Sequence, residues 1–206
     1  GATGAALGLP GLKLKQDIVG VKLRLAGDAV LDSDSAMPQI AIGLEHKRGD
    51  AGGLQATLTS LGASKNGTDL YISATKLFLA QGILVNGTLR ATKANQGGLL
   101  GFGATLGGAD NGYELHPEIS VAYLVRRDLA VGVEYRSMPN KLQTAGRAAG
   151  LGEGLRAGDW KDIFIAWAPS KNVSLTAAYV DLGTIVPATT NQRKQRGVYV
   201  SAQFAF

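Results

Sequence analysis

Cysteine is absent from the 206 residues, which excludes disulfides and thiolate metal sites and is compatible with an oxidising periplasm. Histidine occurs only at His46 and His116, so proton-transfer or metal chemistry has few groups to draw on. No stretch of about 18 or more consecutive apolar residues occurs, and a transmembrane helix is excluded. The six prolines form no linker, so residues 1–206 read as a single domain. The segment Gly1-Ala2-Thr3-Gly4 lacks the basic region and apolar core of a signal peptide, which is expected to have been removed or never present.

What is abundant is glycine, at 29 residues, within a composition that is 45% hydrophobic. That mixture suits strands joined by turns and argues against disorder or a helical bundle. The formal charge is +5 with a pI near 9.5, which describes a solvated basic surface or one favouring anionic headgroups or phosphates. Lys and Arg are scattered and not interleaved with exposed aromatics, so no nucleic acid partner is expected.

The dominant pattern has a period of two. From Tyr113 to Arg126, the residues Tyr113, Leu115, Pro117, Ile119, Val121, Tyr123 and Val125 share one face, opposite Glu114, His116, Glu118, Ser120, Ala122, Leu124 and Arg126. Alternation this long belongs to a strand, whose successive side chains point to opposite sides. After Arg127-Asp128 it resumes, with Leu129, Val131, Val133 and Tyr135 against Ala130, Gly132, Glu134 and Arg136. Similar runs lie around Val19–Leu25, Ile40–Glu45, Ile83–Arg90, Asp162–Ala168 and Val173–Tyr179. Asp69 to Leu79 reads as a strand with mixed faces and Leu99 to Leu106 as a weaker one, for about nine or ten strands in all.

A soluble sandwich would bury the apolar face, whereas a membrane barrel turns it to lipid. The second face mixes Gly, Ala, Ser and Thr with scattered charges, as a crowded or wet lumen does. Tyr113, Tyr135, Trp160, Trp167 and Tyr179 stand near strand ends, where interfacial girdles form. The reading is therefore an all-β, antiparallel transmembrane barrel in the cell outer membrane. Parity assigns Lys22, Arg24, Glu45, Arg90, Glu114, His116, Glu118, Arg126, Glu134 and Arg136 to its lumen. A barrel this narrow demands that such charges be paired or wet, so Glu118 and Glu134 are expected to bond arginines such as Arg90, Arg126 or Arg136.

The closing run Val198, Val200, Ala202, Phe204 and Phe206 ends on an aromatic. It resembles the signal read by the barrel assembly machinery, with Phe204 and Phe206 as its core. With a periplasmic C-terminus, Arg127-Asp128 and Pro169-Ser170-Lys171-Asn172 become periplasmic turns. Ser137 to Asp159 and Val186 to Gln195 become external loops. Counting Leu99 to Leu106 as a strand would put the short Ala80-Gln81-Gly82 link outside and the long Gly49 to Thr68 segment inside. Treating it as loop repairs both and leaves nine strands, whereas bacterial single-chain barrels have an even number. Further N-terminal strands, a homo-oligomer or a partner chain is then expected to complete the barrel.

Several landmarks carry a resemblance: Gly67-Thr68-Asp69-Leu70-Tyr71 through Ala74-Thr75-Lys76-Leu77; Asn86-Gly87-Thr88-Leu89-Arg90-Ala91-Thr92-Lys93-Ala94-Asn95-Gln96; Gly98-Leu99-Leu100-Gly101-Phe102-Gly103; Glu134-Tyr135-Arg136; and Ser174 through Gly183. From about Leu12 to Phe206 the sequence resembles a family of proteobacterial outer-membrane proteins known only as a domain of unknown function. The resemblance implies an outer-membrane barrel with further strands before the equivalent of Leu12. It implies no activity and carries over no functional residues.

Chemistry is sparse. His116 between Glu114 and Glu118 is the one trio that a proton or a weakly bound cation would suit; a lumen ion-pair network with Arg90, Arg126 and Arg136 is the simpler expectation. His46, beside Lys47 and Arg48, reads as interfacial. Gly101-Phe102-Gly103 precedes no helix pattern, so no phosphate cradle is expected. Asp32-Ser33-Asp34 lacks the Gly and Glu of a calcium loop. The Leu89 to Gln96 segment is expected to pin a loop inside the barrel or to line a pore mouth. No catalytic residue, metal or cofactor is expected. The leading function is a structural or scaffold barrel with a largely plugged lumen, its partners being outer-membrane lipids, lipopolysaccharide and the assembly machinery. Alternatives are a narrow porin-like channel for small solutes and, least supported, an outer-membrane enzyme.

Overall fold

A computed structural model describes residues 2–3, 9, 11–29 and 36–204. One sheet contains ten strands in chain order: β1 (Ala2–Thr3), β2 (Lys13–Ala26), β3 (Gln39–Asp50), β4 (Asn66–Phe78), β5 (Ile83–Thr92), β6 (Glu114–Arg126), β7 (Leu129–Arg136), β8 (Trp160–Ser170), β9 (Val173–Asp181) and β10 (Arg196–Phe204). Every pairing is antiparallel. β1 has only two residues, so nine long strands form a curled half-barrel. Three short helices, α1 (Gln55–Ser60), α2 (Lys141–Ala148) and α3 (Pro187–Thr190), lie in the connections. None of them is long and apolar enough to cross a membrane.

The two faces are inverted relative to a soluble sandwich. On the convex side Ile119, Val133 and Ile163 are 50%, 53% and 59% exposed. On the concave side Ala41, Ala122 and even Asp69 and Arg90 are buried. Water offers no driving force for that arrangement, because it leaves a continuous apolar surface outside; lipid does. The curl is tight where small residues allow it. Tyr71 faces Gly43 across β3 and β4, and a Cβ on Gly43 would fall inside the Tyr71 ring.

All connections but 27–38 sort by length onto the two ends, because strand direction alternates. Residues 79–82, 127–128 and 171–172 are tight turns at one end, together with the connection 27–38. Residues 51–65, 93–113, 137–159 and 182–195 all meet at the other. The segment 99–106 belongs to one of these loops, joined to its surroundings by isolated bridges between Phe102 and both Ser64 and Ala94. Nine long strands is thus the count that the loop assignment of this segment implied. Asp32-Ser33-Asp34 and Phe206 lie outside the described residues.

The hydrophobic core sits among these long loops, above the sheet. Leu58 and Leu61, Leu100 and Ala104, Leu142 and Ala145, and Ile185 and Val186 pack together with Leu14. The segments expected to be plain loops therefore build a small packed cap, with α1, α2 and α3 as its ribs. The helices went unseen in the sequence because six, eight and four residues are too few for a 3.6-residue period to show.

Both outer long strands have a free edge. β10 pairs only with β9 among the described residues, and β1 covers only Lys13 and Leu14 of β2. Val19, Val21, Val198 and Val200 are 73%, 69%, 76% and 73% exposed. Even the concave residues Ile18 and Tyr199, both 54% exposed, lack cover there. Because the nine long strands alternate in direction, β2 and β10 run parallel to each other.

Candidate functional site

The concave wall carries an ion-pair ladder near the capped end. Arg90 on β5 is its hub. Its guanidinium donates to Glu118 on β6 at 2.6 Å and to Glu45 on β3 at 2.9 Å, and lies 3.6 Å from Asp69 on β4. Lys47 on β3 completes the upper rung, 2.6 Å from Asp69 and 3.1 Å from Glu45. Arg136 on β7 completes the lower one, 3.0 Å from Glu118. Three cations thus meet three carboxylates across five strands. The Thr92 hydroxyl donates to the second Asp69 oxygen at 2.5 Å, and the Arg90 guanidinium lies 4.8 Å from the centre of the Tyr71 ring. Charges this buried persist only when paired and hydrogen-bonded, and here they are.

Directly above the ladder the loop 93–113 folds over the concave face. Phe102, fully buried, lies on Gly67, where a Cβ would meet its ring. Gly67 precedes Asp69 by two residues on the same face, so the ring covers the ladder from the capped end. Asn95 holds the loop by donating to the Gly103 carbonyl at 2.9 Å. Gln96 donates to Ile185 and Gln16 donates to Gly97, each at 2.9 Å. The expectation that the Leu89–Gln96 segment pins a loop inside the barrel matches these bonds.

A second polar group ties the cap to β6. Lys141, nearly fully buried, sits 2.7 Å from Glu114 and 3.0 Å from Asp110. Burial alone would lower the Lys141 pKa; hydrogen bonds to Glu114 and Asp110 outweigh it and raise it. The Gly112 N–H and Lys141 hold the Asp110 carboxyl below its ordinary range. In the same loop as α2, Arg147 and Gln143 both donate to Glu153 and hold its carboxyl low as well.

The residues that parity assigned to the lumen divide into five sets. Glu45, Arg90, Glu118 and Arg136 meet in the ladder, and Glu114 meets His116 at 3.2 Å. The trio of His116 with two carboxylates does not assemble, because Glu118 turns to the arginines while His116 contacts Glu114 and Ser137. Among the described residues no cluster of three or more His, Asp or Glu could hold a metal. Lys22 and Arg24 lie on the concave parity of the open strand β2; Lys22 is exposed, and Arg24 pairs with Asp28 at 2.7 Å. Among the described residues no arginine pairs with Glu134, contrary to expectation: directly opposite it on β8 stands another carboxylate, Asp162.

Arg126, which parity places in the lumen, does not lie there. A register shift between Leu124 and Arg126 ends the alternation there, and Arg126 pairs with Asp128 at the turn, 61% exposed, at 3.3 Å. Its arginine reaches neither Glu118 nor Glu134. The bulge left no trace in the residue pattern. Lys47 and Asp69 are the opposite case: both are central to the ladder and both were missed, although Lys47 shares the parity of Glu45. Phe204 faces outward on β10 at 64% exposure.

Below the ladder a cavity of about 220 Å³ remains, lined by Asn86, Glu118, Ser120, Glu134, Arg136, Trp160 and Asp162. An antiparallel meander with an apolar convex face, a paired polar concave face and connections sorted by length is the architecture of a porin-like β-barrel. The sequence matches, over residues 1–203, the family described as "Protein of unknown function (DUF3034)", and the chain belongs to that family. No curated protein matches the sequence. Among solved structures it is similar to the NanC porin in a rhombohedral crystal form, at a TM-score of 0.53 and 9% identity, covering 93% of this chain and 79% of that one. At that identity the likeness is one of fold.

Proposed function

We propose that this chain is the larger part of an outer-membrane β-barrel of structural type, its lumen blocked at the capped end. The observation that carries this reading is the layering of Phe102 over a charge-neutral ladder centred on Arg90. A diffusing solute would have to displace a packed loop and separate buried ion pairs. Long connections on one end and short turns on the other support an external cap and a periplasmic opposite end. The charged groups of the ladder are engaged with one another, which supports a structural role over an enzymatic one.

In lipid, the free backbone groups along β2 and β10 would each cost several kcal/mol. The proposal therefore includes closure by further strands. Since β2 and β10 are parallel, an odd number of added strands keeps every pairing antiparallel. β1 already runs antiparallel to β2, with Ala2 opposite Leu14, so residues preceding Gly1 would continue it along β2. Intact-mass measurement of the protein purified from native membranes tests this. A mass above that of these 206 residues supports closure by the same chain; a single species of 21.3 kDa contradicts it.

A second reading, a narrow channel, is favoured by the cavity beside Glu134 and Asp162. Liposome swelling with small neutral sugars separates the two. A structural barrel leaves swelling at the protein-free rate, whereas a channel accelerates it with a size cut-off.

A further inference from the structure

Three basic residues, Lys161, Lys194 and Arg196, gather around Asp181 where the apolar band of the convex side ends at the capped end of β8–β10. In the register Lys161 stands opposite Asp181, and Asp181 stands opposite Arg196. Adjacent strands are about 4.8 Å apart, so Lys161 and Arg196 flank Asp181 about 10 Å from each other. Arg193 and Lys194 precede Arg196 in the adjoining loop. Lys161, Arg193, Lys194 and Arg196 are all exposed. Asp181 is paired to Arg196 at 3.1 Å, and Lys194 is close enough to act on the same carboxylate. Asp181 is thus surrounded by three cations, Lys161, Lys194 and Arg196; Asp159, two residues before Lys161, is bonded to the Tyr135 hydroxyl at 2.6 Å, and no ion pair engages Lys161 among the described residues. One step below on the same face lie Ile163, Tyr179 and Val198, at 59%, 51% and 76% exposure.

We infer that this cluster binds the phosphate group of a membrane lipid whose acyl chains lie along the apolar row beneath it, an inference that rests on the membrane placement proposed above. The chemistry is complementary at both ends. Excess positive charge at a membrane boundary recruits anionic headgroups, and the contiguous apolar row takes chains. Arg supplies a planar donor fork for phosphate oxygens, and Lys161 and Lys194 supply mobile point charges.

The test uses the full chain in phosphatidylcholine bilayers containing spin-labelled phosphatidic acid or spin-labelled phosphatidylcholine. The fraction of motionally restricted label is compared for the native protein and for Lys161→Gln/Lys194→Gln, which spares the Arg196–Asp181 pair. The native protein should prefer phosphatidic acid, and the variant should lose about fivefold of that preference for each cation removed, with an unchanged melting profile. Equal selectivity in both proteins overturns the inference. So does binding of inorganic phosphate to the detergent-solubilised protein that is lost in the variant while the lipid selectivity is unchanged, which would make this a site for soluble phosphate. Absence of any restricted lipid signal would instead overturn the membrane placement itself, and the inference with it.

Discussion

Arg90 reaches past His116, its direct partner in the β5–β6 register, to donate to Glu118 at 2.6 Å. Glu118 also accepts from Arg136 at 3.0 Å, while Glu134 faces Asp162. The two glutamates share a parity and have opposite surroundings. Glu118→Gln removes the charge that two guanidiniums require and should cost about 2–3 kcal/mol, below the roughly 3–5 kcal/mol of a fully buried pair because the site is partly open. Glu134→Gln relieves a like-charge neighbour and should be neutral or slightly stabilising. Parallel denaturation in detergent checks this; equal destabilisation by both contradicts the assigned pairing.

The glycine under Tyr71 makes a steric prediction. Gly43→Ala would drive a methyl into the ring and displace it from Arg90, 4.8 Å away. Overpacking of this kind costs about 1–3 kcal/mol. Alanine at Gly87, where added atoms meet nothing within 4 Å, should be tolerated. A shift in melting temperature confined to the Gly43 variant is the expected outcome.

Acid should loosen the cap before the sheet. The Asp110 and Glu153 carboxyls are held low in the folded state, so their contribution is present above the unfolded carboxylate values. It is lost as pH falls below about 4 through the depressed folded values. Lys141 has the opposite sign: its pKa is raised, so its contribution stays through neutral pH and is lost only as pH rises above about 10.4. Proteolysis with pepsin should cut within 137–159 near pH 3, while far-ultraviolet circular dichroism still reports the strands. Simultaneous loss of both signals would contradict a cap that opens on its own.

Much of this architecture could be read from residue alternation. Ile119, Val121, Val131 and Val133 announce the outward face, and Glu45, Arg90, Glu118 and Arg136 the inward one, because a strand fixes orientation by parity alone. What parity could not give is which charges meet. That depends on the stagger between strands, which carried Arg90 diagonally to Glu118, and on the bulge that removed Arg126. The cap was invisible for another reason. Leu100, Leu142 and Ile185 come from three loops and meet only in space, and no local period marks them.

Phe102→Ala should weaken the seal without dissolving the sheet. The fully buried ring lies in the cap, where a Phe-to-Ala change costs about 3–5 kcal/mol, and that loss falls on loop 93–113 and not on the strand ladder. Hydrogen exchange should rise in 93–113 and stay unchanged in β6 to β8.

Single-channel recording of the full-length protein in planar bilayers tests the blocked lumen most directly. The account predicts no steady conductance from the native protein and intermittent openings from Phe102→Ala. Stable open channels from the native protein, with conductance unaffected by Phe102→Ala, would contradict it.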